Sequence, residues 1–179
     1  MPGIRKTDIR RRAPGARRSA VGFTLIELMV VLAVAGILAA VAYPAFTTII
    51  NGNRLNTHAD DLVASLQFAR SEALRRNARV SVCGSANGIT CGGAWNNWLT
   101  VVDSTNAVLR AHQTRAPVRI TSGVARFTYA ATGVATTAVN STITVCIPTD
   151  QPEENQRLVS LVSASRITST RADGAGACP

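Results

Sequence analysis

The feature that most constrains this chain is a continuous apolar run from Gly22 to Pro44 whose only charged residue is Glu27. At 1.5 Å per helical residue, a run of this length reaches most of the way across the hydrocarbon core of a bilayer. Its order relative to its flanks is unusual. A secretory signal peptide carries its small-residue cleavage site after the apolar region, so cleavage discards that region. Here the small residue, Gly22, comes first, and a cut after it leaves the apolar segment on the mature chain with Phe23 at the new N-terminus. Glu27 is the second anomaly. A lone carboxylate in a membrane helix costs about 2.5–3.5 kcal/mol on insertion scales and ordinarily has a partner. No basic residue follows it until Arg54, out of reach along the same helix. The free amine of residue 23 on a neighbouring copy would supply one.

Charge places the rest of the chain. The formal net charge is +9, but Arg5, Lys6, Arg10, Arg11, Arg12, Arg17 and Arg18 stand against Asp8 alone in residues 1–22, a net +6. Twelve arginines, no lysine and nine carboxylates remain after Gly22, about +3. The basic balance is therefore mostly a leader, kept on the cytoplasmic side by the positive-inside rule. Three segments follow: a leader over 1–22, a transmembrane helix over 23–52, and an exported head over 53–179. Past Pro44 the helix resumes, with Asn51-Gly52-Asn53 as an expected weak point. From Leu55, apolar Ala59, Leu62, Val63, Leu66, Ala69, Ala73 and Leu74 recur at three- and four-residue steps, the stripe of an amphipathic helix.

After Arg79 the texture changes to short runs rich in β-branched residues, separated by Gly, Asn and Pro. Candidate strands are Arg79–Cys83, Trp98–Asp103, Val108–Gln113, Val118–Thr121, Arg126–Tyr129, Thr142–Ile147, Arg157–Val162 and a short run near Arg166–Ser169. Alternation within them (Val80/Val82, Phe127/Tyr129, Ile143/Val145/Ile147) predicts antiparallel pairing with one face on the helix. Strands clustered after a helix give an α+β fold. Cys83, Cys91, Cys146 and Cys178 are an even set in an exported chain, which reads as disulfides. Three pairings exist. Cys83–Cys91 would close a small Gly/Asn-rich loop, and Cys146–Cys178 would tie the C-terminal tail to a late strand. No CxxC spacing occurs, and His58 and His112 stand apart from any Ser, Cys and carboxylate set. The sequence thus predicts no metal site, no cofactor and no catalytic constellation.

At Gly22-Phe23-Thr24-Leu25-Ile26-Glu27 the chain resembles a type IV prepilin. The resemblance implies cleavage by a prepilin peptidase between Gly22 and Phe23, N-methylation of Phe23, a role for Glu27 in filament assembly, and a helix kink at Pro44. Leu66 to Asn77, reading L-x-x-A-R-S-E-A-x-x-R-N, resembles the signature of the FimT, FimU and GspH minor pilins. So do Cys83 and Cys91 with Gly93, Trp95 and Trp98, and the Phe127–Gly133 segment. The resemblance implies a type IV pilin fold: a long N-terminal helix, transmembrane in its first half and amphipathic in its second, packed on an antiparallel β-sheet. It implies a single-pass inner-membrane protein with a periplasmic head, later part of a pilus or pseudopilus tip. Its partners would be other minor pilins, a major pilin or pseudopilins, and the inner-membrane assembly platform. The Cys146/Cys178 pair leans toward FimU-like subunits, and a GspH-like pseudopilin of type II secretion is the alternative. FimT-like members bind DNA through a C-terminal G-R-x-R motif. Ser165-Arg166-Ile167-Thr168 lacks its glycine and its second arginine. Arg157, Arg166 and Arg171 remain as a candidate DNA-contacting strip, opposed by pairing with Asp150, Glu153, Glu154 and Asp173.

Overall fold

The computed structural model describes residues 22–179, so the leader reading over 1–21 lies outside the described residues. The chain forms two compact units, one ending at Ala39 and one comprising Ala40–Pro179. Helix α1 (Leu25–Arg76) opens where the sequence signals it should. Thr24 occupies the N-cap and its Oγ1 accepts from the Glu27 N–H at 3.3 Å. Thr24 and Glu27 stand in the S/T-x-x-E order of a capping box, and the acid complements the helix dipole. The helix is long and apolar enough to cross a membrane over an early window, none of which is buried. Its end is equally local. Asn77 adopts φ 49°, the Asn77 N–H bonds to Leu74 O, and the Ala78 N–H bonds to Ala73 O. That pair of bonds is a Schellman closure.

The helix passes through Pro44 and through Asn51-Gly52-Asn53 without interruption. The expected weak point at 51–53 is therefore helical. Asn disfavours helices because its side chain competes for nearby backbone; here Asn51 Nδ2 is drawn away to Gln151 O at 2.9 Å. Beyond this point the stripe Leu55, Ala59, Leu62, Leu66, Ala69 and Ala73 is buried. Leu74, expected on the same stripe, is 53% exposed. It covers Gly133 instead, where a Cβ would sit 3.0–3.1 Å from the Leu74 side chain.

Eight strands follow: β1 (Val80–Ser85), β2 (Asn97–Val102), β3 (Ala107–Gln113), β4 (Arg119–Ser122), β5 (Arg126–Tyr129), β6 (Ser141–Cys146), β7 (Gln156–Val162) and β8 (Arg166–Ala172). The last runs further than the short run read from sequence, because Thr170, Arg171 and Ala172 pair with Leu158, Arg157 and Gln156. All pairings are antiparallel, and they build two four-stranded sheets, β3-β2-β1-β5 and β4-β6-β7-β8. One core joins them to α1: the helical stripe meets Val80, Val82, Trp98, Phe127 and Tyr129 of the first sheet and Ile143, Val145, Val159 and Leu161 of the second. Each such side chain contributes about 1.5–3 kcal/mol on burial. Strand β1 is buried on both faces. A separate cluster of Cys83 from β1 with Leu99 and Val101 from β2 is covered by Cys91.

Candidate assembly site and head surface

Gly22 and Phe23 precede the helix and are exposed, Phe23 at 81%. Glu27 follows in the first helical turn, exposed, with apolar neighbours Leu25, Ile26, Leu28 and Met29 around it. A short unstructured junction, a capped helix start and one acid on an otherwise apolar surface are thus placed within six residues. A buried stripe suits packing inside one chain. An all-round exposed apolar helix is suited instead to lipid or to other such helices.

Pro44 leaves its carbonyl to two hydroxyl donors, Thr48 Oγ1 at 3.0 Å and Thr47 Oγ1 at 2.9 Å. Thr47 Oγ1 also lies 2.9 Å from Gln151 Oε1. The β6–β7 loop therefore grips α1 at Thr47 and Asn51, and Arg157 Nε extends the grip to Asn56 Oδ1 at 2.8 Å. The same loop is tied to the tail. Cys146 is bonded to Cys178, with Cα atoms 5.7 Å apart. The Asn155 amide donates to Ile147 O and Ala177 O and accepts from the Gly174 N–H. Cys83 is bonded to Cys91 across eight residues, closing the loop after β1. Sequence reasoning missed Gln151 and Asn155, since each acts through contacts more than 15 residues away in one direction or another. Only the local richness in Asp, Gln, Pro and Glu marked a loop there.

The three candidate DNA-contacting arginines do not form a strip. Arg157 is 5% exposed. Its guanidinium is consumed by Asn56 Oδ1, Glu154 O and Gln156 O, and burial followed by the nearby Arg171 lowers its pKa. A buried cation is tolerated here because its Nε and Nη1 donors all find oxygen acceptors. Arg171 lies opposite it on β8 and pairs with Glu154 at 3.4 Å. Arg166 is exposed at the other end of β8, opposite Val162.

Elsewhere on the head, Glu72 takes Arg75 and Arg76 rather than Arg70, with contacts of 2.6–2.8 Å. These hydrogen bonds hold its carboxyl down to about 2. Trp98 is fully buried, stacks on its cross-strand partner His112 at 5.0 Å and 4°, and meets His58 edge-on at 6.3 Å. Its indole N–H donates to Ser65 Oγ, which donates in turn to Asp61 O. Burial lowers the His58 pKa. The two histidines separated in sequence are therefore brought together around one tryptophan. Tyr129, also fully buried, has its phenol pushed up to about 12 by burial. Among the described residues, no three His, Cys, Asp or Glu side chains gather as a metal site.

An N-terminal apolar helix behind a glycine junction, a long helix continuing into a head, and two antiparallel sheets wrapped on that helix define the type IV pilin fold. The model of the prokaryotic N-terminal methylation motif matches residues 18–43, and that of the type II transport protein GspH matches residues 58–165. The chain belongs to the GspH family, a family of structural pilin subunits. It is similar to two crystal structures of the type IV minor pilin FimU of Pseudomonas aeruginosa strain PAO1. The first, in space group P21, is 25% identical over 66% of this chain and 89% of that one, with a TM-score of 0.55. The second, in P65, is 24% identical over 65% and 92%, with a TM-score of 0.52. No curated protein sequence matches the chain significantly.

Proposed function

We propose that the chain is a minor type IV pilin of the FimU kind, made as a prepilin and built into a tip or priming complex that starts a pilus. A prepilin peptidase cuts after Gly22, and the exposed Phe23 amine is then methylated. The first half of α1 holds the protein in the inner membrane with the head on the periplasmic side, and then enters the filament's helical bundle. Glu27 answers the N-terminal charge of a neighbouring subunit, and Pro44 gives the helix its point of bending. The partners are other minor pilins, the major pilin and the inner-membrane platform; the role is structural.

The observation that carries this reading is the pairing of a bare apolar helix bearing one acid, Glu27, with a GspH-family head similar to FimU. A GspH-like pseudopilin of type II secretion is the second reading, favoured by the family match itself. DNA uptake is the weakest extension, because Arg157 and Arg171 are already engaged. Mature protein should carry N-methyl-Phe23 by mass spectrometry. Glu27→Ala should leave processing intact yet remove the protein from sheared filaments, and incorporation at the wild-type level would reject the assembly role. Recovery with pili or with a secretion pseudopilus separates the two readings.

A further inference from the structure

A groove of about 910 Å³ on the head lies between α1 and the edge strand β3. From α1 come Arg54, His58 and Asp61; from β3 and its exit come Ala111, Gln113 and Arg115. Strand β3 ends its sheet, and most of its seven residues are exposed. The Thr114 N–H donates to Asn96 O at 3.2 Å. In the register Trp98↔His112 and Leu99↔Ala111, that bond sets the alternation along the ladder. Hydrogen-bonded and open pairs alternate in an antiparallel pair. Ala111 and Gln113 therefore turn their N–H and C=O groups away from β2, and both residues line the groove. The bulge at Thr100/Val101 twists the far end of the edge but leaves this stretch regular.

We propose that this groove takes an extended acidic peptide segment from a partner protein, added as a strand beyond β3. Strand addition uses main-chain bonds for affinity and side-chain pockets for choice. The outward groups of Ala111 and Gln113 provide the first. Arg54 and Arg115 provide the second: among the described residues neither has a carboxylate within ion-pair distance. Arg110, next along β3, lies over the Phe68 ring at 3.7 Å and so is held by α1 rather than by an acid. A carboxylate on the guest between Arg54 and Arg115 would find two open guanidinium forks. Asp61 at the same groove, together with so short a basic stretch, disfavours a nucleic-acid backbone and sets a limit of one or two acids on the guest. The inference concerns the head alone and holds for a pilus or a pseudopilus.

The test uses the mature full chain in detergent micelles and a fluorescein-labelled peptide, Thr-Val-Thr-Val-Glu-Val-Thr-Val, with a matched peptide carrying Gln for Glu. The Glu peptide should bind and slow amide hydrogen exchange at Ala111 and Gln113, and the Gln peptide should bind about fivefold more weakly. Ala111→Pro removes an N–H that β2 does not use, a position where an edge strand tolerates proline. It should weaken binding about tenfold while thermal unfolding stays unchanged. Arg115→Gln should erase the preference for Glu and serves as the second variant if the proline disturbs folding. Absence of binding overturns the proposal. So does binding without protection at Ala111 and Gln113, or displacement of the peptide by duplex DNA, which would make the groove a polyanion site.

Discussion

Glu72 sits one helical turn before two guanidinium groups, and their hydrogen bonds hold its carboxyl near 2 against an ordinary value of 4.5. A folded pKa below the unfolded one means stability that is complete above about pH 4.5 and lost as pH falls toward 2. Glu72→Gln should therefore flatten the acid limb of a stability–pH profile between about 2 and 4.5. NMR titration of the wild type should place the Glu72 carboxyl near the low end, and an ordinary value there would contradict the two-arginine clasp. Trp98 is the largest fully buried side chain among the described residues. It fills the space between His58 and His112 and anchors Ser65. Trp98→Ala should cost about 3–5 kcal/mol in denaturant unfolding. A loss below about 1 kcal/mol would mean that the site collapses around the cavity.

The two disulfides differ chiefly in the loops they close. Cys146–Cys178 spans 32 residues and Cys83–Cys91 spans 8. Chain-entropy arguments give about 3.5–4 kcal/mol for the longer and about 2.5 for the shorter. Paired serine replacements at Cys146 and Cys178 should thus destabilise more than those at Cys83 and Cys91. They should also raise hydrogen exchange in the β6–β7 loop, since Asn155 and Cys178 tie that loop to the tail. Equal losses would point to retained structure in the unfolded chain. At this scale the sequence was readable where periodicity is local. Val80/Val82, Phe127/Tyr129 and Ile143/Val145 alternate because one side meets α1. The division into two sheets was not readable, because alternation reports which face is buried and not which strand is the neighbour. Leu74 matched the helical period yet is exposed, since Gly133 and not the core lies beneath it. Arg157 read as a surface cation because arginine usually is one. Its acceptors, Asn56 across the fold and the nearby carbonyls of Glu154 and Gln156, carry no sequence pattern.

For the molecule as a whole, charge is widely spread and only part of it is paired. Arg75 and Arg76 serve Glu72, Arg126 serves Asp103, Arg171 serves Glu154, and Arg157 is buried. Of the three arginines in the suspected DNA-contacting tail, Arg166 alone is exposed without a carboxylate within ion-pair distance among the described residues. Each phosphate neutralised by a cation contributes a slope of about −0.9 to log K against log salt on duplex DNA. A working three-arginine strip would give a slope near −3, whereas the arrangement seen supports about −1 from that surface. Duplex binding by the mature chain, followed across a salt series, should show the shallow slope, and Arg166→Ala should remove what that surface supplies. Arg157→Ala should act differently: it should lower the unfolding midpoint, because Asn56 and two carbonyls lose their donor, without changing the salt slope. A slope near −3 that falls with both Arg166→Ala and Arg171→Ala would make DNA a partner of this surface. It would require the Arg171–Glu154 pair to open on binding.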